Sequence, residues 1–220
     1  MPEPIAAPPA SVLRLSRYHC FLGELQREGD HGLIRSREIA EELGVSEETV
    51  RHDLSFVSIK GRSGAGYDPS ALYEAIQDFL DLSALHPFLA VGNADVLRGL
   101  TVTFPAADFG MRPYAYFSDR AEDVGEKVDG TPILGLDEVA ASAAPSNVTI
   151  ALVACAPDAV EGVLDVLAAG GIRGVLMLTP MLRPKHPEGM HVTYFRMPCA
   201  LKSLASAQPA PAPSCCADAE

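Results

Sequence analysis

Two groups of residues have types and spacing that can do chemistry. In the first, Arg51 precedes the glycine-rich segment "SIKGRSGAGY", residues 58–67, which itself carries Lys60 and Arg62. Cations so placed can grip phosphates, and an arginine can fork onto a guanine edge. In the second, an apolar run ends in a glycine, "FLAVGNADVLRG", residues 88–99. A dinucleotide cradle has the pattern G-x-G-x-x-G between strand and helix. Its three positions here are Gly92, Ala94 and Leu97. The first glycine makes the tight turn, the second admits the pyrophosphate, and the third lets helix and strand pack closely. Gly92 keeps the turn. Ala94 adds a methyl group, and Leu97 is expected to push the helix off the strand. Asp95 sets a negative charge near the phosphate position, where it would repel.

Elements must position these groups. "SVLRLSRYHCFLGELQREG" carries Leu15, Tyr18, Leu22 and Leu25 on one helical stripe. "SREIAEELGV" follows, with Ser36 expected as N-cap and Gly44 as stop. "SEETVRHDLSFV" is the next helix; Ser46 caps it, and Glu47 and Glu48 suit its positive end. Helix, tight turn and helix make a helix-turn-helix layout. The second of its short helices presents early residues to a DNA groove: Ser46, Glu47, Thr49, Val50, Arg51 and His52. Gly61, Gly64 and Gly66 suit a wing, from which Lys60 and Arg62 would reach the backbone or minor groove. Arg14 and Arg17, on the first helix, would clamp a phosphate. Asp53 would face phosphates, so it is expected to pair with Arg51 or cap a local group. "DPSALYEAIQDFLDL" reads as a linking helix with Asp68 at its cap and Pro69 at its first position.

From His86 onward, strand and helix patterns alternate. The strands are "FLAVG", "RPYAYFS", "TPILG", "VTIALVAC", "GVLMLTP" and "HVTYF". Helices are expected near "VLRGLT", "RAEDVGEK", "LDEVAASAA", "DAVEGVLDVLAAGG" and "PCALKSLASA". This alternation predicts an α/β domain, a parallel sheet with helices on both faces.

Composition bounds the function. The formal net charge of −12 argues against nucleic acid as a general partner. The charge is uneven, however. Residues 12–67 hold eight Lys/Arg and nine Asp/Glu, a sum of −1 that lets arginines gather on one face. No apolar run reaches the roughly 18 residues of a membrane span. "MPEPIAAPPASVLR" has too many prolines for a signal peptide, so a cytoplasmic location is expected. Cys20, Cys155 and Cys199 sit in apolar patterns and are expected to be buried, reduced thiols; Cys215 and Cys216 lie in a Pro/Ala-rich tail. No metal site is read. No Ser/His/Asp or Cys/His set stands out, so an enzyme is not expected.

Residues 50–67, "VRHDLSFVSIKGRSGAGY", resemble the Rex family of redox-sensing repressors, with V-R-K-D-L-S-[YF] followed by G-x-[RK]-G-x-G-Y. "RLSRYHCFL" resembles the family's R-L-P-x-Y-x-R-x-L, and "SREIAEELGVSEETVR" its S-x-E-L-A-E-x-L-G-V. "GGIRGVLMLTPMLRPKHPEGMHV" resembles A-G-I-K-G-I-x-N-F-A-P. The resemblance spans about 12–205. It implies an N-terminal winged helix-turn-helix domain, a Rossmann-like domain and a C-terminal dimerisation segment. It also implies a homodimer on a palindromic operator of double-stranded DNA, released when NADH closes the sensor domains. The expected division is a flexible arm (1–11), a winged-helix domain (12–67), a linking helix (68–85), a Rossmann-like domain (86–198), a C-terminal helix (199–208) and a disordered tail (209–220).

Departures from the family pattern set further expectations. His52 replaces a lysine, Cys20 an arginine, and Ser63 a basic residue of the wing. DNA binding is therefore expected to be weaker than in relatives, or shifted in preference. The DNA-binding candidates are Arg14, Arg17, Ser46, Thr49, Arg51, His52, Lys60 and Arg62. "PYAYFSDRAEDVG" aligns with A-A-F-D-x-D-P-x-K-V-G, so Ser118 stands at the ribose-binding acid, with Asp119 next. Ser118 with Arg120 suits a 2′-phosphate, which permits NADP(H) as well as NAD(H). The cofactor-binding candidates are Gly92, Asn93, Ala94, Asp95, Val96, Leu97, Ser118, Asp119 and Arg120. "MLTP", residues 177–180, falls where the family lines the nicotinamide side, and Arg196 stands where an acid is expected. Three readings of the pocket stay open: NAD(H) sensing, another ligand, or a purely structural pocket. In the last case the chain would be a constitutive DNA binder or a protein-interaction module.

Overall fold

The computed structural model describes residues 7–29, 32–59, 65–82, 84–180 and 184–207. The chain divides into two compact units. One comprises the chain up to His86 with Ala107–Met111, and the other Pro87–Ala106 with the remainder.

The first unit is built from α1 (Pro9–Glu28), α2 (Ser36–Leu43), α3 (Glu47–Leu54) and α4 (Pro69–Phe79). Leu15, Tyr18 and Leu22 are wholly buried, and they meet Ile39, Val50, Leu72 and Ile76 in one apolar cluster. The stripe expected on α1 is thus its inward face, with Leu25 half-buried at the margin. The segment read as a linking helix is α4. It supplies Leu72 and Ile76 to this core, so it is part of the packed unit. Asp68 caps it, its carboxylate accepting from the Ala71 N–H at 3.0 Å. Gly44 ends α2 in the left-handed region, at φ 65°. The α2 start differs from the expectation. Arg35 is the N-cap, its N–H donating to Glu38 Oε2 at 2.7 Å, while Ser36 lies inside the helix and is buried. The Glu38 carboxylate reaching back to the Arg35 N–H supplies one half of a capping box and sets the start one residue before Ser36.

The segment expected to form a wing falls largely outside the described residues. Lys60, Gly61, Arg62, Ser63 and Gly64 lie outside the described residues. Ile34 and Tyr67 exchange backbone N–H···O bonds of 2.8 Å each in an isolated antiparallel bridge. Gly66 beside it has φ 113°, and a Cβ there would stand 2.4 Å from the Ile34 carbonyl oxygen. Only glycine satisfies both demands. Gly66→Ala is therefore expected to cost about 1–3 kcal/mol in backbone strain. Amide exchange at Ile34 and Tyr67 should accelerate roughly tenfold or more. Unchanged protection would show that the bridge does not need the glycine.

The second unit holds a seven-stranded, mostly parallel sheet in the order β3-β4-β2-β1-β5-β6-β7. The strands are β1 (His86–Gly92), β2 (Met111–Ser118), β3 (Lys127–Val128), β4 (Thr131–Gly135), β5 (Ile150–Ala154), β6 (Gly174–Met177) and β7 (His191–Tyr194). Six were legible as apolar runs. The seventh, β3, is only two residues long and pairs antiparallel with β4. Asp129 (φ 47°) and Gly130 (φ 80°) form the two-residue turn between them, the positive φ pair that such hairpins favour. β1 and β5 pair in parallel from Leu89↔Ala151 to Gly92↔Ala154.

The helices are α5 (Ala94–Thr103), α6 (Val139–Ala143), α7 (Val160–Ala169) and α8 (Met197–Ala207). Helix α7 buries Val160, Val163, Leu164 and Leu167, a full i, i+3, i+4, i+7 stripe. "RAEDVGEK", expected as a helix, forms only a 3-10 turn at Ala121–Asp123, followed by Gly125 at φ 91°. On α8, Met197, Leu201 and Leu204 fall on one stripe and are 57%, 59% and 64% exposed. No helix among the described residues is long and apolar enough to cross a membrane. The cysteines correct the expectation in part: Cys155 is buried, while Cys20 and Cys199 are exposed.

Candidate functional site

In the first unit, α3 is anchored from below. Val50, Asp53 and Leu54 are buried, while Ser46, Arg51 and His52 are exposed and Thr49 is half-exposed. Ser46 Oγ accepts from the Thr49 N–H at 3.1 Å, which places the cap as read from the sequence. The Arg51 guanidinium pairs with Glu47 one turn back. The Asp53–Arg51 pairing expected from sequence is thus replaced on both sides. His52 lies edge-on to Phe56, centroids 5.2 Å apart. Arg17 is exposed, and its guanidinium donates to the Leu43 carbonyl at 3.0 Å.

Arg14 is not a free phosphate clamp. Its Nε and terminal N–H groups fork onto the two Asp53 oxygens at 2.6 and 2.7 Å. Tyr18 OH donates to the same carboxylate at 2.8 Å. Asp53 is completely buried, so it turns inward and does not face phosphates. Burial alone would push its carboxyl up; hydrogen bonds from Arg14, Ser11 and Tyr18, with the Arg14 charge, bring it below its ordinary value. The fork ties α3 to α1 and so fixes how the outward face is aimed. Sequence reading missed this because the partners are 39 residues apart. The available signal was an acid facing the apolar side of a short helix, with an arginine and a tyrosine one turn apart on another.

In the second unit, the candidate pocket lies at the carboxyl ends of β1, β2, β5 and β6, where strand order reverses between β1 and β5. Open α/β sheets bind ligands at such switch points. At Gly92, the last residue of β1, a Cβ would stand 3.1 Å from the Ala154 carbonyl oxygen of the neighbouring strand. Asn93 caps α5, its side-chain oxygen accepting from the Val96 N–H at 2.9 Å. Asp95 faces outward with its side chain 98% exposed, 3.4 Å from Arg98, rather than into the phosphate position. Leu97 is wholly buried, seated among Phe88, Ala90, Leu100 and Leu152 beside a small apolar cavity of about 20 Å³. It is thus part of the buried apolar core.

The pivotal residue here is one the sequence reading passed over. The Asp123 Oδ2 accepts from the Ala94 N–H at 3.2 Å and from Ser118 Oγ at 2.7 Å. Ala94, Ser118 and Asp123 are all buried. Ser118 Oγ also accepts from the Arg120 N–H at 3.1 Å, so both functions of its hydroxyl are engaged. Arg120 is exposed, and Asp119 is half-buried. The Asp123 signal was available: in the aligned family segment its position is a lysine. Across the crevice, Thr179 Oγ1 donates to the Cys155 carbonyl at 2.7 Å. Burial, with the nearby Asp119 charge, pushes the Cys155 thiol up to about 11, so it stays protonated and unreactive at neutral pH. Thr179 and Pro180 line an open depression of about 180 Å³ with Tyr194 and Arg196. The Arg196 guanidinium stacks 5.0 Å from the Tyr194 ring. No cluster of three or more metal-ligating side chains occurs among the described residues.

Residues 7–55 match the family described as "Putative DNA-binding protein N-terminus". Over 199 residues the chain is 28% identical to the redox-sensing transcriptional repressor Rex of Streptococcus mutans, covering 90% of this chain and 92% of that one. The crystal structure of RSP, a Rex-family repressor, superposes with a TM-score of 0.79 at 22% identity, covering 91% of this chain and 93% of that one. RSP in complex with beta-NAD+ and operator DNA gives 0.77 at 23%, over 90% and 91%. RSP with beta-NADH gives 0.76 at 22%, over 91% and 93%. The fold is thus the one implied by the sequence, helical DNA-binding-type unit first and Rossmann-like sheet second. Over about 90% of its length the chain resembles the Rex redox-sensing repressors.

Proposed function

We propose that this chain is a Rex-like, DNA-binding transcriptional repressor that acts as a cytoplasmic homodimer and not as an enzyme. The observation that carries the reading is α3. It is locked by a buried carboxylate and apolar side chains while Ser46, Thr49, Arg51 and His52 point outward. Two such helices on a two-fold dimer would meet half-sites about one helical turn apart. Lys60 and Arg62 extend the contact onto the flanking backbone. Arg17 can add a phosphate contact, whereas Arg14 positions α3 and does not touch DNA. The apolar stripe of α8 supports a second chain as the partner that covers it.

The test is a gel shift on the operator duplex bound by RSP, at two salt concentrations. A sequence-specific shift that weakens with salt supports the reading. Absence of any specific shift at low salt overturns it. Arg51→Ala is expected to lower affinity by about 1–3 kcal/mol, roughly 5- to 150-fold. Its pairing with Glu47 is on an exposed surface and breaks at little cost.

The relatives point to NAD(H), with NADP(H) raised by Ser118 and Arg120. The frame of that pocket is kept at Gly92. Its chemistry does not fit a pyrophosphate as it stands, because the Ala94 N–H and the Ser118 hydroxyl already serve Asp123. Operator binding as proposed needs no dinucleotide. The same observation favours a second reading, in which the chain binds its operator constitutively or serves as an interaction module. Constant operator affinity with and without NADH would support it.

A further inference from the structure

We propose that Asp123 is the chain's own stand-in for a ligand phosphate. Its carboxylate occupies the head of α5 and must be expelled before a phosphate-bearing ligand can enter. The inference rests on reading the second unit as a dinucleotide-type pocket, but not on DNA binding.

Three observations carry it. First, the carboxylate takes the N–H that the cradle would offer. The Ala94 N–H belongs to the second fingerprint position, the one that approaches a pyrophosphate, and it donates to Asp123 at 3.2 Å. The Val96 and Leu97 N–H groups are taken too, by the Asn93 side chain and backbone at 2.9 and 3.0 Å. Second, the carboxylate is fixed in place. Ser118 Oγ holds it at 2.7 Å, and the turn that carries it is closed by Asp123 N–H to Arg120 O at 3.3 Å and Glu126 N–H to Asp123 O at 3.1 Å. Gly125 and Glu126 tie that turn to Ile133 of β4 through bonds of 2.9 and 2.7 Å. A tethered anion competes at a high effective concentration, which a free one cannot match without tighter contacts. Third, the charges nearby oppose replacement. Asp119, half-buried, follows Ser118, so an incoming phosphate would add negative charge beside an acid. The Arg98 cation is paired with Glu126 and Asp95. The head of a ten-residue helix favours an anion. Here the sequence provides that anion from within.

The experiment is calorimetric titration of NADH, and separately of inorganic pyrophosphate, into the full-length chain and into Asp123→Ala. The expected result is at least a tenfold gain in NADH affinity on substitution, with pyrophosphate binding detectable only in the variant. Equal or weaker NADH affinity in Asp123→Ala overturns the proposal. So does absence of NADH binding to both proteins, since Leu97 and not Asp123 would then close the cradle. Asp123→Asn preserves shape and removes charge, which covers the case in which the alanine variant does not fold. It should bind NADH at least threefold more tightly than the unsubstituted chain, and no gain again counts against the proposal. Failure of the unsubstituted chain to shift operator DNA would sink the repressor reading and leave this one standing.

Discussion

Arg14→Ala should destabilise the first unit by about 3–5 kcal/mol, because it strands a fully buried carboxylate without its counter-charge. Only the neutral hydroxyls of Tyr18, at 2.8 Å, and Ser11 would remain to hold Asp53. Arg14→Lys should recover only part of the loss, since an ammonium cannot form the two-pronged contact. Urea unfolding, followed in the first unit, is the check. A loss below about 1 kcal/mol would place the pair among contacts of surface strength. Operator affinity should fall with stability in Arg14→Ala, because the fork aims α3. A variant that stays folded yet binds DNA normally would show that α3 is aimed by its apolar contacts alone.

The same pair sets an acid limit. The folded-state carboxyl of Asp53 lies below its ordinary value of 3.8, which approximates the unfolded chain. A depressed folded value contributes stability that is complete above the unfolded value. It is lost as pH falls from there through the folded value. Melting of the first unit should therefore hold steady down to about pH 5 and decline below about pH 4. In Asp53→Asn the starting stability should be lower and this component of the decline absent. An identical acid profile in both proteins would assign the decline to other carboxylates.

Leu97→Ala should cost about 2–5 kcal/mol in the second unit, the range for a leucine removed from a tight core. The side chain is wholly buried, and the small cavity beside it would grow rather than collapse onto the sheet. Hydrogen exchange of the β1 and α5 amides reports the loss locally. A cost under about 1 kcal/mol would mean that the site relaxes around alanine and that Leu97 is not structural filling.

What the sequence made legible was chemistry carried within a few residues. Ser46 and Asp68 accept from backbone N–H groups three positions on, so a local reading could place both caps. The apolar runs of β1 and β5 needed no partner to be identified, since strands buried on both faces read as continuous apolar runs. What stayed hidden were contacts closed by the fold. Arg14 finds Asp53 across 39 residues, and Ala94 finds Asp123 across 29. From sequence, Asp53 is expected to pair with Arg51 or cap a local group, and Asp123 is passed over. The two residues of β3 hold no periodicity to detect. Leu97, judged from the sequence only against a motif's ideal, is wholly buried, and it lines a small cavity with Phe88, Ala90 and Leu152.

For a chain that represses as proposed, the oily stripe on α8 would also link repression to abundance. If a second chain covers Met197, Leu201 and Leu204, only pairs keep that face from water, and only pairs span both halves of an operator. Where most chains are single, halving their number leaves roughly a quarter of the pairs by mass action. Promoter output would then respond more steeply to how much of this protein a cell makes than to its affinity for any one site.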